Sequence, residues 1–554
     1  MSPFSLLSDS WLPVSRRSGV KIRIRPAEIA SDFADDPIVA FAWGRPDFDA
    51  ASREFMIGLL ATAFPAPRNG RDYRALWSAP PDATRLDEAL APFAEAFVLD
   101  GDGPHFGQDL DPLSNAEGSP VSGLLIEAPG ANTLKENKDL FQKRGQVEFL
   151  SRAGAAMALF ALQTFAPSGG AGHRTSLRGG GPLTTLAAPR DEDAPLWRLL
   201  WLNTPEENEA FPPAGESKDK IFPWLAPTIT SDGKPPRLVS PHSSHPLQAF
   251  WGMPRRIRLI LTQNDSGAPC PLTGLVDDVV VTGFRARPWG VSYDPSFQHP
   301  LSPYYFSKGK PPSWLPVHPQ PGGVPYSDWP ALAGQGDDES RPAAMVSEAE
   351  KRLARLQNSG GVIEARLLAS GFDMDNMKAR GFVEAQMPLF VLPEAASDDV
   401  RKELHSVTRR FVDAADLSAS ATSIAVRIAL AGERADGKAS PFAALRERFF
   451  LDTYDSFFEH LRALCENAAT LETKETRRPL ARQWLGVLRR RAVALFDEAV
   501  SFGDMPAKIM ERAVPARRNL SGVFSGYGAL GKKIFTALEL APPAKGGKKS
   551  GKGK

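Results

Sequence analysis

Cysteine is nearly absent: only Cys270 and Cys465 occur in 554 residues. Two cysteines so far apart exclude a cysteine-built zinc site and argue against a disulfide framework, so a reducing cytoplasm is the expected compartment. No apolar run approaches the roughly 20 residues that cross a bilayer. The opening Met1-Ser-Pro-Phe-Ser-Leu-Leu-Ser-Asp-Ser-Trp-Leu-Pro has a broken apolar stretch and no basic leader, unlike a signal peptide. No membrane partner is expected. Net charge is only +1, which excludes a generally basic, histone-like chain and confines any nucleic-acid surface to local patches.

Catalytic signatures are missing too. There is no Gly-x-x-x-x-Gly-Lys-Ser/Thr phosphate loop, no His-Glu-x-x-His and no Gly-x-Ser-x-Gly elbow. Gly170-Ala-Gly172-His-Arg-Thr175 approaches the dinucleotide fingerprint, but Thr175 replaces the third glycine. The alanine-rich Arg152–Phe165 before it reads as a helix, where that fingerprint needs a strand. His242-Ser-Ser-His245 could hold a metal, yet Pro241 and Pro246 flank it and a plain surface loop is the simpler reading. No metal, no cofactor and no catalytic residue is expected; the chain does not read as an enzyme.

What is present is an ordinary globular composition, 42% hydrophobic and 24% charged, enough for roughly two to four domains. Fifty prolines are spread unevenly. Residues 200–345 are rich in proline, glycine and aromatics, with short β-type runs at Ile257–Thr262 and Asp278–Thr282; Asp277–Phe284 reads as a buried strand entering a turn. From Ser397 the pattern becomes helical over 398–431, 441–468, 476–501 and 506–540, with Pro441, Pro479 and Pro506 near three starts. The expected fold is α+β: a large mixed domain over 1–392, a four-helix bundle over 393–541, and a disordered Lys/Gly tail over 542–554.

Ala166–Thr185 is the most distinctive segment. Glycine clusters Gly169/Gly170/Gly172 and Gly179/Gly180/Gly181 bracket His173, Arg174 and Arg178. Glycine permits positive φ and close backbone approach, and the basic side chains suggest an anionic partner. Residues 130–190 hold eight basic against three acidic residues. Lys474–Arg491 holds Lys474, Arg477, Arg478, Arg482, Arg489, Arg490 and Arg491 against Glu475 alone. A solvated helix face explains one such run; two runs, one beside a glycine loop, favour a phosphate backbone.

Several motifs recur together in one family. Leu7-Ser-Asp-Ser-Trp-Leu-Pro-Val14 looks like an Asp-Asn-Trp-Ile-Pro-Val start, and Pro104-His-Phe-Gly-Gln108 like His-Pro-Phe-x-Gln. Ala158-Leu-Phe160, Ala166-Pro167, Ser176-Leu-Arg-Gly-Gly180 and Thr184-Thr185 follow in order. Thr282-Gly-Phe284, His299-Pro-x-Ser-Pro303 and Pro312-Ser-Trp314 come next. Across almost the whole chain these resemble CasA, the large subunit of the type I-E CRISPR Cascade surveillance complex.

The resemblance implies a non-catalytic subunit of a crRNA-guided antiviral complex. Its partners would be the other Cascade subunits, crRNA, double-stranded target DNA, the displaced single strand and a helicase-nuclease effector. Guide pairing reads the sequence, while protein reads a short flanking motif, here from the minor groove. The family's glycine loop falls on Gly169, Gly170, Ala171 and Gly172, followed by His173 and Arg174; Gly179–Gly181 are left to the turn. The family's minor-groove lysine corresponds to Pro288, and Arg285 or Arg287 would replace it. The strand-separating wedge falls on Asp375, Asn376, Met377 and Lys378. Lys135, Lys138, Lys143 and Arg144 lie in the complex-anchoring or nucleic-acid loop, and the Lys474–Arg491 cluster would hold the displaced strand. Two rivals stay open: a nucleotide-dependent enzyme using the glycine loop, and a purely structural scaffold subunit.

Overall fold

The computed structural model describes residues 3–129, 131–137, 145–167, 169–170, 172–334, 336–357, 361–375, 377–432, 440–501 and 506–541. Lys138, Lys143, Arg144, Ala171, Asn376 and the tail 542–554 lie outside them. The chain forms two compact units. The first comprises Met1–Gly323, Gly336–Gln357 and Glu364–Leu389; the second comprises Val324–Gln335, Asn358–Ile363 and Phe390–Lys554.

The first unit is built around helix Pro46–Ala63, which is buried on nearly every side. Proline at its first turn costs no hydrogen bond, and Asp47 and Asp49 there suit the positive helix end. It packs against the alanine-rich helix Arg152–Phe165, whose Ser151 cap accepts the Gly154 N–H at 3.2 Å. Small side chains at 153, 155, 156, 158 and 161 let large neighbours fill the space. Phe55 is ringed edge-on by Trp11, Phe97, Phe106, Phe160 and Trp251, at centroid distances of 5.4–6.0 Å, an arrangement that suits aromatic quadrupoles.

Small sheets surround this core. In one, Val279–Arg287 pairs on one side with Arg256–Gln263 and on the other with Gly118–Pro120 and Leu150–Ser151. The turn expected at Gly283-Phe284 is absent: both residues sit mid-strand. A Cβ on Gly283 would stand 2.6 Å from the Ser119 carbonyl oxygen, so this glycine serves cross-strand approach. In a second sheet Thr184–Pro189, Ile363–Asp375 and Lys378–Val391 lie side by side, the last two forming a long hairpin.

The second unit is helical. Asp398–Ala431 is its central helix, capped by Ser397 and ended by Gly432 at φ +90°. The helices that follow it in the chain are Ser440–Asp452, Tyr454–Glu466, Lys474–Ala499, Ala507–Val523 and Gly528–Ala537, all packed on the central one. Two of the four expected helices are therefore broken. The first break is at Thr453, whose hydroxyl bonds the Phe449 carbonyl and the Tyr326 hydroxyl. The second is at Ser525–Tyr527, where Gly526 and Gly528 have positive φ. Pro479, expected near a helix start, lies inside Lys474–Ala499. Trp484 anchors the unit, fully buried and donating its indole N–H to the Phe411 carbonyl at 2.9 Å.

By length and composition Asp398–Ala431 could cross a membrane, unlike the sequence expectation that no run comes near. Half of its most apolar window is buried inside the protein, as for the central helix of a bundle.

Candidate nucleic-acid interface

The glycine segment leaves the C-terminal end of the alanine-rich helix and returns as strand Thr184–Pro189. This helix–loop–strand order is the reverse of the dinucleotide fold. The loop closes on itself: His173 N–H donates to the Gly170 carbonyl at 2.8 Å and Ser176 N–H to the Ala166 carbonyl at 3.1 Å. Gly170 has φ +65° and Gly172 +86°, conformations that side chains with a Cβ rarely adopt.

The two glycine clusters do different things. A Cβ on Gly181 would meet the Phe372 carbonyl at 2.5 Å, and one on Gly371 the Pro182 carbonyl at 2.4 Å. Gly181 and Gly371 thus seat the long hairpin against the segment, and Phe165, Phe372 and Phe382 pack beneath it. At the other end, a Cβ on Gly170 would lie 3.5 Å from the Met377 sulfur. The first glycine cluster and the hairpin tip therefore form one surface.

Met377 is 54% exposed, and Lys378 is exposed beside it with no ion pair among the described residues. Asp375 faces Arg380 at 3.9 Å, and Arg380 also grips Asp373 at 2.6 Å. One arginine thus serves two carboxylates and offsets only part of the negative charge of Asp375, which is unfavourable near phosphate.

His173 and Arg174 are half-buried. Burial and the nearby Arg255 guanidinium hold the His173 imidazole below its usual pKa. Arg174 donates to Ser231 Oγ at 2.9 Å and to the Ser231 carbonyl at 3.0 Å. Arg178 contradicts its reading as an anion-facing side chain. It is 2% exposed and donates to Glu54 at 2.7 Å, Thr184 at 2.9 Å and Ser302 at 3.1 Å. Arg152 is also committed, to Asp277 at 2.8 Å and Asp100 at 3.4 Å. The excess of basic residues over 130–190 thus overstates the free charge. Lys135 is exposed at the end of the short helix Ala131–Lys135.

Sequence reasoning missed an arginine ladder. Arg285 and Arg287 lie on strand Val279–Arg287, where Arg285 opposes Arg258 and Arg287 opposes Arg256. Directly opposed residues share a face, and like charges there repel. Of the four, only Arg256 is ion-paired among the described residues, closest to Asp109. Burial lowers the Arg258 pKa. The ladder runs into the loop: Arg255 donates to the Pro167 carbonyl and has no carboxylate partner among the described residues. Burial pushes its pKa down to about 10, so it stays charged at neutral pH. The period-two pattern Arg256-Ile-Arg258 and Arg285-Ala-Arg287 was the available signal, hidden because the pairing of the two strands was not foreseen.

Among the described residues no group of three or more His, Cys, Asp or Glu gathers as a metal site. His245 uses both ring nitrogens, on the Leu247 N–H and the Pro213 carbonyl. Cys270 and Cys465 are both buried and form no disulfide.

The family model for CRISPR-associated protein Cse1 matches residues 5–495. The chain belongs to the Cse1 family. The Cse1 fold is matched by CasA from Thermus thermophilus, with TM-score 0.65, 18% identity, and coverage of 94% of this chain and all of that one. Cse1 from Thermobifida fusca gives TM-score 0.65 and 18% identity over 97% and 98% of the two chains. A chain of a structure described as a CRISPR RNA-guided surveillance complex gives 0.62 and 17% over 94% and 100%.

In the helical unit of this Cse1 chain the basic cluster divides. Arg477 is tied to Glu403 and Glu539, and Arg491 to Asp452 and Glu498. Lys474, Arg478, Arg482, Arg489 and Arg490 are exposed, without ion pairs among the described residues. At 3.6 residues per turn Lys474, Arg478, Arg482 and Arg489 fall within about 80° of one helix face.

Proposed function

We propose that this Cse1 chain is the non-catalytic DNA-recognition subunit of a crRNA-guided complex of the Cascade type, acting in the cytoplasm. Membership of the Cse1 family and the likeness in fold to a chain of an RNA-guided surveillance complex support the assembly. In this reading Gly169–Gly172 probes the minor groove of the flanking motif, where bare backbone fits between the walls. Met377 and its neighbours press into the duplex next to that motif and start strand separation, offsetting about a few kcal/mol of unstacking per step. Lys135 and its loop anchor the subunit, and recruitment of a helicase-nuclease follows full pairing.

The observation that carries the reading is the adjacency of Gly170 and Met377: a motif probe and a strand wedge must touch neighbouring base pairs. The arginine ladder supports it further, because opposed guanidinium groups of which one is ion-paired among the described residues suit a phosphate backbone. The test is binding of the reconstituted complex to duplexes with correct and scrambled flanking motifs. Wild type should favour the correct flank, and Gly170→Asp, which adds a strained Cβ and a negative charge, should reduce that preference about tenfold or more. Equal preference in both proteins would make the chain a scaffold. Saturable binding of free nucleotide by the isolated chain would favour the enzyme rival instead.

The exposed helical stripe is assigned to the displaced strand. Reversing Arg478, Arg482 and Arg489 to glutamate should weaken single-strand binding and flatten its salt dependence by a slope of about two. An unchanged slope would leave the stripe a solvated face.

A further inference from the structure

We propose that Trp289 reads the flanking duplex, donating its indole Nε1–H to a base-edge acceptor in the minor groove beside the glycine loop and favouring an A·T pair there. This rests on the minor-groove reading above. Trp289 is 40% exposed, the only exposed one among eleven tryptophans. Seven of the buried ones donate their indole N–H within the protein, as Trp11 does to the Leu6 carbonyl and Trp224 to the Ala96 carbonyl. The Trp289 indole N–H has no acceptor among the described residues.

The residue is also held in place at a conformational cost. Its φ is +64°, a left-handed conformation that is an outlier for a bulky side chain and is strained. Hydrogen bonds fix it on both sides: its backbone N–H donates to the Gly172 carbonyl at 2.9 Å, and its carbonyl accepts from the Ser231 N–H at 3.2 Å. The ring lies against the loop backbone, since a Cβ on Gly172 would stand 2.7 Å from Cε2 and 2.8 Å from Cδ2. The Arg174 guanidinium sits 5.0 Å over the ring and is itself bound to Ser231. This explains why Arg174 does not point outward: it braces the indole. A side chain so held loses little freedom on binding.

The chemistry selects the base pair. An indole is a donor only. In the minor groove A·T and T·A pairs offer only acceptors, whereas a G·C pair adds the guanine amino group, a donor. A rigid N–H donor is therefore matched by A·T and opposed by G·C. Strand Val279–Arg287 ends two residues before Trp289, so the arginine ladder and the indole reach the same duplex.

The experiment uses the reconstituted complex with guide RNA and a set of target duplexes varied at each flanking position. Trp289→Phe keeps a ring for Gly172 and Arg174 but removes the donor. It should lose about three- to tenfold in affinity for duplexes with A·T at one flanking position, and lose the preference over G·C there. Thermal stability and complex assembly of Trp289→Phe are measured alongside and should match the wild type, which separates loss of the donor from loop damage. An unchanged profile in the phenylalanine variant overturns the proposal, and so does an equal loss on all duplexes, which would be a backbone contact. If Gly170→Asp loses discrimination while Trp289→Phe does not, only the Trp289 assignment falls. If neither changes, the minor-groove reading falls with it.

Discussion

Arg178→Met should destabilise the first unit by about 3–5 kcal/mol, the range for breaking one half of a buried ion pair. Arg178 and Glu54 are each 2% exposed and 2.7 Å apart. Thr184 donates to the other Glu54 oxygen at 2.5 Å, and Ser302 accepts from Arg178. Removing the guanidinium leaves a carboxylate in the core with one hydroxyl donor. The penalty is desolvation, so the double variant Arg178→Met/Glu54→Gln should recover a large part of the loss. Urea unfolding monitored by circular dichroism measures both. A loss below about 1 kcal/mol for the single variant would mean that water reaches Glu54, as at a surface pair.

That pair also shows where sequence reading stops. The C-terminal helical region was legible because apolar spacing repeats over 398–431 and 474–499, and burial at Trp484, Leu488 and Leu495 follows that spacing. The glycine loop was legible because positive φ needs glycine. The partners of charged residues were not. Arg178 and Arg174 both stand beside glycines, yet one is locked to Glu54, 124 positions away, and the other to Ser231 and Trp289. The arginine ladder depends on the register between two strands that are separate in the sequence. The helix breaks at Thr453 and Gly526 need a tertiary partner or a single dihedral that periodicity does not encode.

The second large effect is on acid stability. His105, His173, His245, His299 and His318 are all held below their ordinary pKa, chiefly by burial. His299 is held well below its usual value, by burial first and then by the nearby Arg178 charge. Its Nδ1 accepts the Leu301 N–H at 3.2 Å, which puts the proton on Nε2, 3.9 Å from Glu54. A histidine with a lowered folded pKa binds its proton more readily when unfolded. Its contribution is complete above about pH 6.5 and is lost as pH falls from there towards the folded value. Each such proton gives a slope of about 1.4 kcal/mol per pH unit within its window. Unfolding midpoints should therefore hold steady from about pH 7 to 8 and fall steeply below about 6.5. In Arg178→Met the repulsion on His299 disappears and Glu54 needs a cation, so a protonated His299 takes the place of the arginine. The acid limb should then be shallower by about one proton than in the wild type. Parallel limbs would mean that His299 does not sense Arg178, and that the lowering comes from burial alone.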